Sequence, residues 1–289
     1  MAVKIRAPAK INLTLRVIGR RADGYHLLDT IMVPVSLYDE IDIQQRSITR
    51  RAAPLVPIEI RCSHPQVPLG RDNIAYRAAE LLMQKQKVKR HVCIRIQKKI
   101  PIGAGLGGGS TDAAAVLIGL NRMWKLRLSV RQMERLALQL GADVPFFIRA
   151  KPARARGIGE KLSLLPKLRR RWLVLAYPGF PVATAWVYGN LPVKLTKVSV
   201  NTSIATPLES LDTLEKLLVN DLERVAIRRY PEIGRVKTML SLAGAVAVLM
   251  SGSGSSVFGV FRSKRWAEIA YRRMQREEGV QAFLVHVLN

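Results

Sequence analysis

Cysteine and histidine are scarce in this sequence. Its 289 residues include two cysteines, Cys62 and Cys93, and four histidines at scattered positions. So few cysteines exclude a disulfide framework, and the scattered histidines form no recognisable metal-ligand cluster. The composition therefore predicts a protein of a reducing compartment, and it leaves the residues of any metal site unassigned.

Long apolar runs are also absent. The longest, LAGAVAVLM at 242–250, is far shorter than the roughly 20 residues that a membrane-spanning helix needs. The opening residues MAVKIRAPAKINL lack the apolar core and cleavage site of a secretory signal. We therefore expect no membrane partner and a cytoplasmic location.

Acidic and aromatic residues are few. The chain has 47 Lys and Arg against 21 Asp and Glu, a net charge of +26, and only 6% aromatic residues. Such a charge suits a basic nucleic-acid-binding protein, which we keep as the alternative from a different class. The basic residues are spread along the whole chain, however, without the interleaved aromatics that a single-strand platform requires. A solvated basic surface with no specific nucleic-acid partner is favoured, and it would attract polyanionic small substrates.

Glycine is concentrated in one stretch, PIGAGLGGGST at 101–111. Five glycines fall within seven positions, between the strand-like VCIRIQKKI and the helix-forming DAAAVLIGLNRMW. Ser110, Thr111 and Asp112 are natural N-cap residues at the start of that helix. A glycine loop before a helix N-terminus presents N–H groups and a positive dipole end to anions. The pattern predicts a cradle for the phosphates of a nucleotide.

Other glycine motifs fit this stretch less well. A dinucleotide fingerprint needs an acidic residue about 20 positions on, but the next carboxylate after Asp112 is Glu134. A Walker loop needs a lysine where Ser110 stands. A flexible turn that binds nothing is disfavoured, because the glycines lie between two strongly patterned elements.

Lys10 and Asp143 are charged residues that lie in apolar stretches of the sequence. Pro8 interrupts the strand pattern, so we expect Lys10 and Asn12 to begin a second strand at a bend. Lys10 is then either an edge residue that limits aggregation or a functional lysine, and the sequence does not decide between them. Asp143 is the only acid between residues 139 and 159 and precedes an apolar run. A carboxylate there must be paired or have a task; the alternative is a loop residue that caps a neighbouring amide.

Tyr25 and His26 follow the Asp23-Gly24 turn signal. An aromatic ring beside an imidazole on a tight turn is either packing filler or a face and an edge for a planar base. The residues alone leave both alternatives open.

Several segments together resemble one superfamily. PIGAGLGGGSTDAAA is similar to the ATP loop, and LMSGSGSSVFGVF to the C-terminal glycine motif, of the galactokinase, homoserine kinase, mevalonate kinase and phosphomevalonate kinase (GHMP) superfamily. The resemblance is sharper for the family that phosphorylates the 2-hydroxyl of 4-diphosphocytidyl-2-C-methyl-D-erythritol on the non-mevalonate route to isoprenoid precursors. The segments that carry it keep that family's order from Ala7 to about Phe261: APAKINLTL, RADGYH, DNIAYRAA, GLGGGS, LGADVPFF, GIGE, YPGFPVATAWVY and NDLE.

The resemblance implies a fold. A chain of 289 residues exceeds what one core usually fills, and the order of elements in its second half is typical of an α+β lobe. We therefore expect an α+β, two-lobed GHMP-kinase-like fold with mixed and antiparallel sheets and a cleft between the lobes. The expected N-terminal ATP-binding and catalytic lobe spans 1–165, and a C-terminal lobe that completes the substrate cleft spans 166–289.

The resemblance also implies an ATP-dependent kinase that uses Mg²⁺. Lys10 and Asp143 would form the catalytic pair. The small-molecule substrate, a cytidine diphosphate derivative, would meet Asn12, Tyr25, His26, Thr184 and Tyr188. The ATP triphosphate would be held by the glycine loop: Pro101, Ile102, Gly103, Ala104, Gly105, Leu106, Gly107, Gly108, Gly109, Ser110 and Thr111.

Two positions depart from the family pattern. Tyr188 stands where some relatives carry phenylalanine, and either residue supplies a ring. Thr111-Asp112 replaces a Ser-Asn or Ser-Ala ending, which leaves open the hydroxyl or carboxylate that touches the metal. A different small-alcohol kinase of the superfamily is the alternative within the enzyme class, and we expect a monomer or weak homodimer.

Overall fold

The computed structural model describes residues 1–46, 57–191 and 217–289. The segment Gln44–Pro68 is rich in strand formers and prolines, which predicts edge strands and loops; residues 47–56 of that segment lie outside the described residues. The strands among the described residues are β1 (Ala2–Arg20), β2 (His26–Arg46), β3 (Ile58–Cys62), β4 (His91–Gln97), β5 (Ala153–Gly157), β6 (Lys161–Leu164), β7 (Trp172–Tyr177), β8 (Val219–Asn220), β9 (Ala247–Met250), β10 (Val257–Phe261) and β11 (Gln281–His286). The helices are α1 (Ile74–Lys85), α2 (Gly108–Met123), α3 (Val130–Leu138), α4 (Val144–Arg149), α5 (Thr184–Gly189), α6 (Glu223–Arg229), α7 (Pro231–Leu242) and α8 (Lys264–Met274).

The chain forms two compact units that interleave along the sequence. The first comprises Met1–Ala9, Tyr38–Ile100 and Gly107–Ala150. The second comprises Lys10–Leu37, Pro101–Leu106 and Lys151–Asn289. The division into lobes at 1–165 and 166–289 stays a prediction.

The first unit packs helices α1 to α4 with strands of a mixed sheet. β4 is antiparallel to β2 from Glu40 opposite Gln97 onward, and β3 is parallel to β4. The strands alternate apolar residues towards a core in which Ile41, Ile43 and Ile94 are buried. Helix α2 comes close to this sheet at Gly119, where an added Cβ would lie 2.5 Å from Ile43 Cδ1.

The second unit contains a mixed sheet and an antiparallel one. In the mixed sheet, β5 pairs antiparallel with β2 and with β6, while β8 pairs parallel with β1. The antiparallel sheet has the order β11-β7-β10-β9. Helices α7 and α8 pack on this sheet around a buried apolar cluster that includes Val174, Ile233 and Met274. The residues that follow β11 also meet the first part of β2, since the Leu288 N–H donates to the Pro34 carbonyl at 2.9 Å. The predicted α+β class with mixed and antiparallel sheets is confirmed.

Two local predictions were wrong. The bend at Pro8 is absent, because β1 runs without a break through Lys10 and Asn12. Helix α2 begins at Gly108, ahead of Ser110, Thr111 and Asp112, with Gly107 as its N-cap. Gly107 has φ +73°, a left-handed conformation that glycine adopts readily, so the helix starts without a side-chain cap.

Candidate active site

Residues 101–106 of the glycine loop lie in the second unit. Their backbone carbonyls are held from three directions: Gly103 O accepts from Val182 N at 3.0 Å, Ala104 O from Ser256 N at 3.2 Å, and Gly105 O from Ser251 Oγ at 3.0 Å. Gly105 has φ +74°, and an added Cβ would lie 2.0 Å from the Ser251 carbonyl oxygen. This half of the loop is therefore fixed against a second glycine loop, which leaves no room for a side chain.

That second loop, residues 251–256, packs against the first glycine loop, and the sequence alone assigned it no role. Four of its residues are serines, and Ser251, Ser253, Ser255 and Ser256 are all buried. A Cβ on Gly252 would lie 2.9 Å from Gly105 O and 3.3 Å from Lys10 Nζ. The resemblance of LMSGSGSSVFGVF to a GHMP glycine motif was the signal that could have identified this loop as part of the site.

The Asn220-Asp221-Leu222-Glu223 segment holds the second loop in place. The Asn220 side-chain amide donates to both Met250 O and Gly252 O at 2.8 Å. Glu223 Oε2 accepts from Met250 N at 2.8 Å. Buried polar groups need such partners, so the NDLE segment orders the backbone that faces Gly105 and Lys10.

Lys10 and Asn12 begin a buried chain of hydrogen bonds. Lys10 is 4% exposed, and its Nζ donates to Asn12 Oδ1 at 2.7 Å. Asn12 Nδ2 donates to Thr30 Oγ1 at 2.8 Å, and that hydroxyl donates to Thr14 O at 2.5 Å. The Lys10 backbone N–H donates to Leu106 O at 3.0 Å. The backbone of Lys10 is thus tied to the glycine loop, while its ammonium donates to Asn12, and the buried side chain is not that of an exposed edge residue.

Residues 107–111 belong to the first unit and form the N-terminus of α2. Thr111 N donates to Gly107 O at 2.9 Å, so the first turn is closed at the glycines themselves. The first N–H groups of a helix have no intrahelical partner. The glycine-rich first turn of α2, which holds the half-buried Ser110, is therefore a helix N-terminus of the kind that suits an anion.

A buried ion cluster of Lys98, Asp39 and Asp112 lies in the same unit. Lys98 Nζ donates to both carboxylates, at 2.7 Å to Asp112 Oδ2, and its side chain is 4% exposed. Asp39 Oδ1 accepts the backbone N–H groups of Lys99 and Ile100 at 2.6 and 2.9 Å. Asp112 Oδ1 is buried and has no hydrogen-bond partner among the described residues. The sequence reasoning missed Lys98 and Asp39, whose partners are far apart in the chain.

Burial raises the pKa of Asp112 to about 8; Lys98 opposes the rise and the Asp39 carboxylate adds to it. The pKa of Lys98 is raised as well, because the two carboxylates outweigh the effect of burial.

A pH-dependent stability follows for Asp112→Asn. Between its ordinary carboxyl pKa of 3.8 and about 8, Asp112 binds more protons in the folded than in the unfolded chain, so wild-type stability falls as pH rises through that window. Asparagine cannot titrate. We expect the Tm of the variant minus that of the wild type to increase from about pH 5 to about pH 8 and then level off. Thermal unfolding across this range checks it, with the exposed Asp72→Asn as control; a difference that does not change with pH would contradict it.

Asp143 precedes α4 as its N-cap residue, with φ −82° and ψ −16°, and it is half-buried. Its side chain makes no capping hydrogen bond to the helix, so the amide-capping alternative does not hold for α4. Asp143 lies in the first unit and Lys10 in the second. Their action as a catalytic pair stays a prediction.

The residues expected at the cytidine end lie in the second unit. The His26 ring stacks on Tyr188, with ring centroids 5.1 Å apart and planes at 28°. Tyr25 is 60% exposed. Thr184 Oγ1 is 2.9 Å from Ser253 Oγ, a hydrogen bond to the second glycine loop. Burial, with help from Arg20, lowers the pKa of His26, so its imidazole is neutral at pH 7 with one donor and one acceptor nitrogen.

Metal-ligating clusters and membrane-spanning helices are both absent from the described ranges. No group of three or more His, Cys, Asp and Glu residues is placed there to hold a metal ion. No helix within those ranges has the length and apolar character needed to span a bilayer.

Two family models match the chain. The GHMP kinases N terminal domain matches residues 73–151, and the GHMP kinases C terminal domain matches residues 204–281. Solved structures with low identity share the fold: a homoserine kinase from Cytophaga hutchinsonii has a TM-score of 0.75 at 16% identity, over 99% of this chain and 97% of that one. Together with the two glycine loops, these matches define the class of the chain: it is a GHMP kinase, an ATP-dependent phosphotransferase.

Relatives with higher sequence identity specify the family within the GHMP kinases. The chain is 46% identical over 283 residues, 98% of each sequence, to the 4-diphosphocytidyl-2-C-methyl-D-erythritol kinase of Syntrophotalea carbinolica. It is 44% identical over 286 residues, 99% of each, to the kinase of the same name from a Geobacter species. A crystal structure of 4-(cytidine 5'-diphospho)-2C-methyl-D-erythritol kinase matches with a TM-score of 0.82 and 34% identity, over 99% of this chain and 100% of that one. The chain belongs to the 4-diphosphocytidyl-2-C-methyl-D-erythritol kinase family.

Proposed function

We propose that the chain transfers the γ-phosphoryl group of ATP to the 2-hydroxyl of 4-diphosphocytidyl-2-C-methyl-D-erythritol, on the non-mevalonate route to isoprenoid precursors. The observation that carries this proposal is the 46% identity over 98% of both sequences to a relative that bears the name of this kinase. The two alternatives, another small-alcohol kinase and a nucleic-acid-binding protein, have no comparable support.

In the proposed chemistry, Asp143 accepts the proton of the substrate hydroxyl and Lys10 stabilises the charge on the transferred phosphoryl group. The substrate oxygen attacks the γ-phosphorus while Asp143 takes the hydroxyl proton as general base. The bond from phosphorus to the β,γ-bridging oxygen breaks, and ADP leaves with that oxygen. Lys10 stabilises the negative charge that develops on the transferred group. Its burial and the hydrogen bond from its Nζ to Asn12 Oδ1 support this role, because they fix the ammonium before the reaction begins.

The ATP triphosphate is proposed to bind residues 101–111. Such transfer needs positioning and charge neutralisation more than covalent help. The backbone constraints on Gly103, Ala104 and Gly105 support a loop that is ordered before ATP arrives.

Mg²⁺ is proposed to accompany the ATP, where it would neutralise charge on the phosphate oxygens. A magnesium ion keeps several waters and needs only one or two protein oxygens beside the phosphates, so a protein cage is unnecessary. Ser110 fits this requirement as a half-buried hydroxyl in the first turn of α2. Asp112 does not, since it is 3% exposed and hydrogen-bonded to Lys98.

A coupled ADP-release assay tests the proposed function. It compares 4-diphosphocytidyl-2-C-methyl-D-erythritol with mevalonate, homoserine and galactose. We expect kcat/KM for the cytidylyl substrate to exceed the others by at least about a hundredfold, since buried polar recognition gives discrimination of this size or more. Equal or faster turnover of another alcohol would favour the alternative kinase.

The cytosine is proposed to lie against the rings of Tyr25 and Tyr188, with the neutral His26 at its edge. Stacking on an aromatic ring is worth about 1–3 kcal/mol per base. We expect Tyr188→Ala to raise the KM for the cytidylyl substrate about tenfold and to leave the KM for ATP unchanged, with a similar effect for Tyr25→Ala. Tyr188→Phe is the matched control, because it keeps the ring. An unchanged KM in both alanine variants would place the base elsewhere.

We further propose a cytoplasmic monomer or weak homodimer with no specific nucleic-acid partner. The +26 charge still attracts polyanions, but binding through phosphates alone weakens steeply with salt. Sequence-selective binding that survives physiological salt would contradict this part of the proposal.

A further inference from the structure

The buried ion cluster joins the two ends of the glycine loop. Lys98 directly follows β4, and Asp112 is the fifth residue of α2, so the Lys98–Asp112 hydrogen bond closes the segment 99–111 into a ring. Asp39 fixes the entry to that segment through the N–H groups of Lys99 and Ile100. All of these contacts lie within the first unit.

Stability alone is a poor reason for such an arrangement. Removing charged groups from water costs about as much as their attraction returns, so buried ion pairs often add little to stability. The backbone is also shaped around the ammonium, because a Cβ on Gly108 would lie 3.0 Å from Lys98 Nζ. Gly108, which belongs to the loop proposed to bind the triphosphate, thus also makes room for Lys98.

We propose that Lys98 and Asp112 are positioning residues for ATP: their hydrogen bond holds the two ends of residues 99–111 at a fixed separation, so that the loop presents its N–H groups to the triphosphate. The inference rests on the proposed function of this loop. A loop whose ends are already fixed loses less conformational entropy when it orders around a ligand, and such preorganisation appears as affinity. The alcohol substrate gains nothing from it.

The experiment compares three variants with the wild type. Asp112→Ala removes the link between the loop ends but keeps Lys98 paired with Asp39. Asp112→Asn keeps an acceptor for Lys98 at the same position. Lys99→Met is the matched control, since Lys99 pairs with Glu40 in an exposed ion pair on the same segment. ATP affinity is measured by calorimetry, and the KM for ATP and for the alcohol substrate by steady-state kinetics.

We expect Asp112→Ala to raise the Kd and KM for ATP about tenfold and to leave the KM for the alcohol within about twofold. Asp112→Asn should restore most of the ATP affinity, and Lys99→Met should behave as the wild type. A lower Tm with unchanged ATP affinity would overturn the proposal and leave a purely structural role.

Folding failure is addressed by a second substitution. If Asp112→Ala does not fold, Asp112→Leu removes the hydrogen bond while filling the space, and the same change in ATP affinity is expected. Failure of both variants to fold would also overturn the proposal, because Asp112 would then serve stability. A wild type that does not bind ATP refutes the proposed function instead, so the two failures are distinguishable.

Discussion

Asp143→Asn is expected to lower kcat about a thousandfold, within the range that a general base contributes, while the Kd for ATP changes less than about threefold. The asparagine has nearly the same shape but cannot accept the hydroxyl proton. Asp143 is half-buried at the start of α4 and makes no cap bond to that helix, so the substitution should not unfold the helix. Rapid-quench or coupled-assay kinetics together with ATP calorimetry measure the two effects separately.

Asp72→Asn is the control for this experiment, because it removes an exposed carboxylate from the same unit. It should retain full turnover. Normal turnover by the Asp143 variant would remove the assigned base, and with it the proposed mechanism.

Gly105→Ala is expected to lower kcat/KM by at least about a hundredfold, the scale of effect that a displacement of 1 Å at a reacting centre produces. The added Cβ would lie 2.0 Å from the Ser251 carbonyl oxygen, and φ is +74°. The atoms that this Cβ would meet belong to the backbone of Ser251 and Gly254, so they cannot rotate away as a side chain could. The two glycine loops must separate, and Gly252, next to Lys10 Nζ, moves with them. Steady-state kinetics and the Tm of the same sample record the change.

Gly279→Ala is the matched control, because it introduces the backbone strain of a left-handed alanine without the steric clash that Gly105→Ala makes with Ser251. Gly279 has the same φ of +74°, but nothing lies within 4 Å of its ideal Cβ position. A left-handed residue other than glycine costs about 1–2 kcal/mol, so this control should lose some stability and keep its kcat/KM. If both variants show equal kinetics, the interlocked loops do not matter for turnover.

The local pattern of the sequence predicted the elements around the site well. β4, the glycine loop and α2 follow one another as the alternation, the glycines and the alanine-rich run indicate. The start of α2 was wrong, because capping preferences favour Ser110 over glycine. These preferences do not reveal that Gly107 takes a left-handed conformation, so that the helix begins at Gly108, before Ser110 in the sequence.

The contacts that complete the site could not be predicted from local patterns. Asp39 and Lys98 are 59 positions apart, and Ser251 and Gly105 are 146 apart. Periodicity and spacing describe neighbours in the sequence only. The family resemblance supplied the roles of Lys10 and Asp143 but was silent on Lys98, whose importance follows from its buried partners.

The interleaving of the two units sets the order in which the protein can be completed on the ribosome. The second unit begins with Lys10–Leu37, but two of its contacts need residues near the end of the sequence. β7 pairs with β11, and the Pro34 carbonyl accepts the Leu288 N–H. Early strands must therefore remain without their final neighbours until almost the whole chain has been synthesised. No single cut in the gene would yield the two units as separate polypeptides.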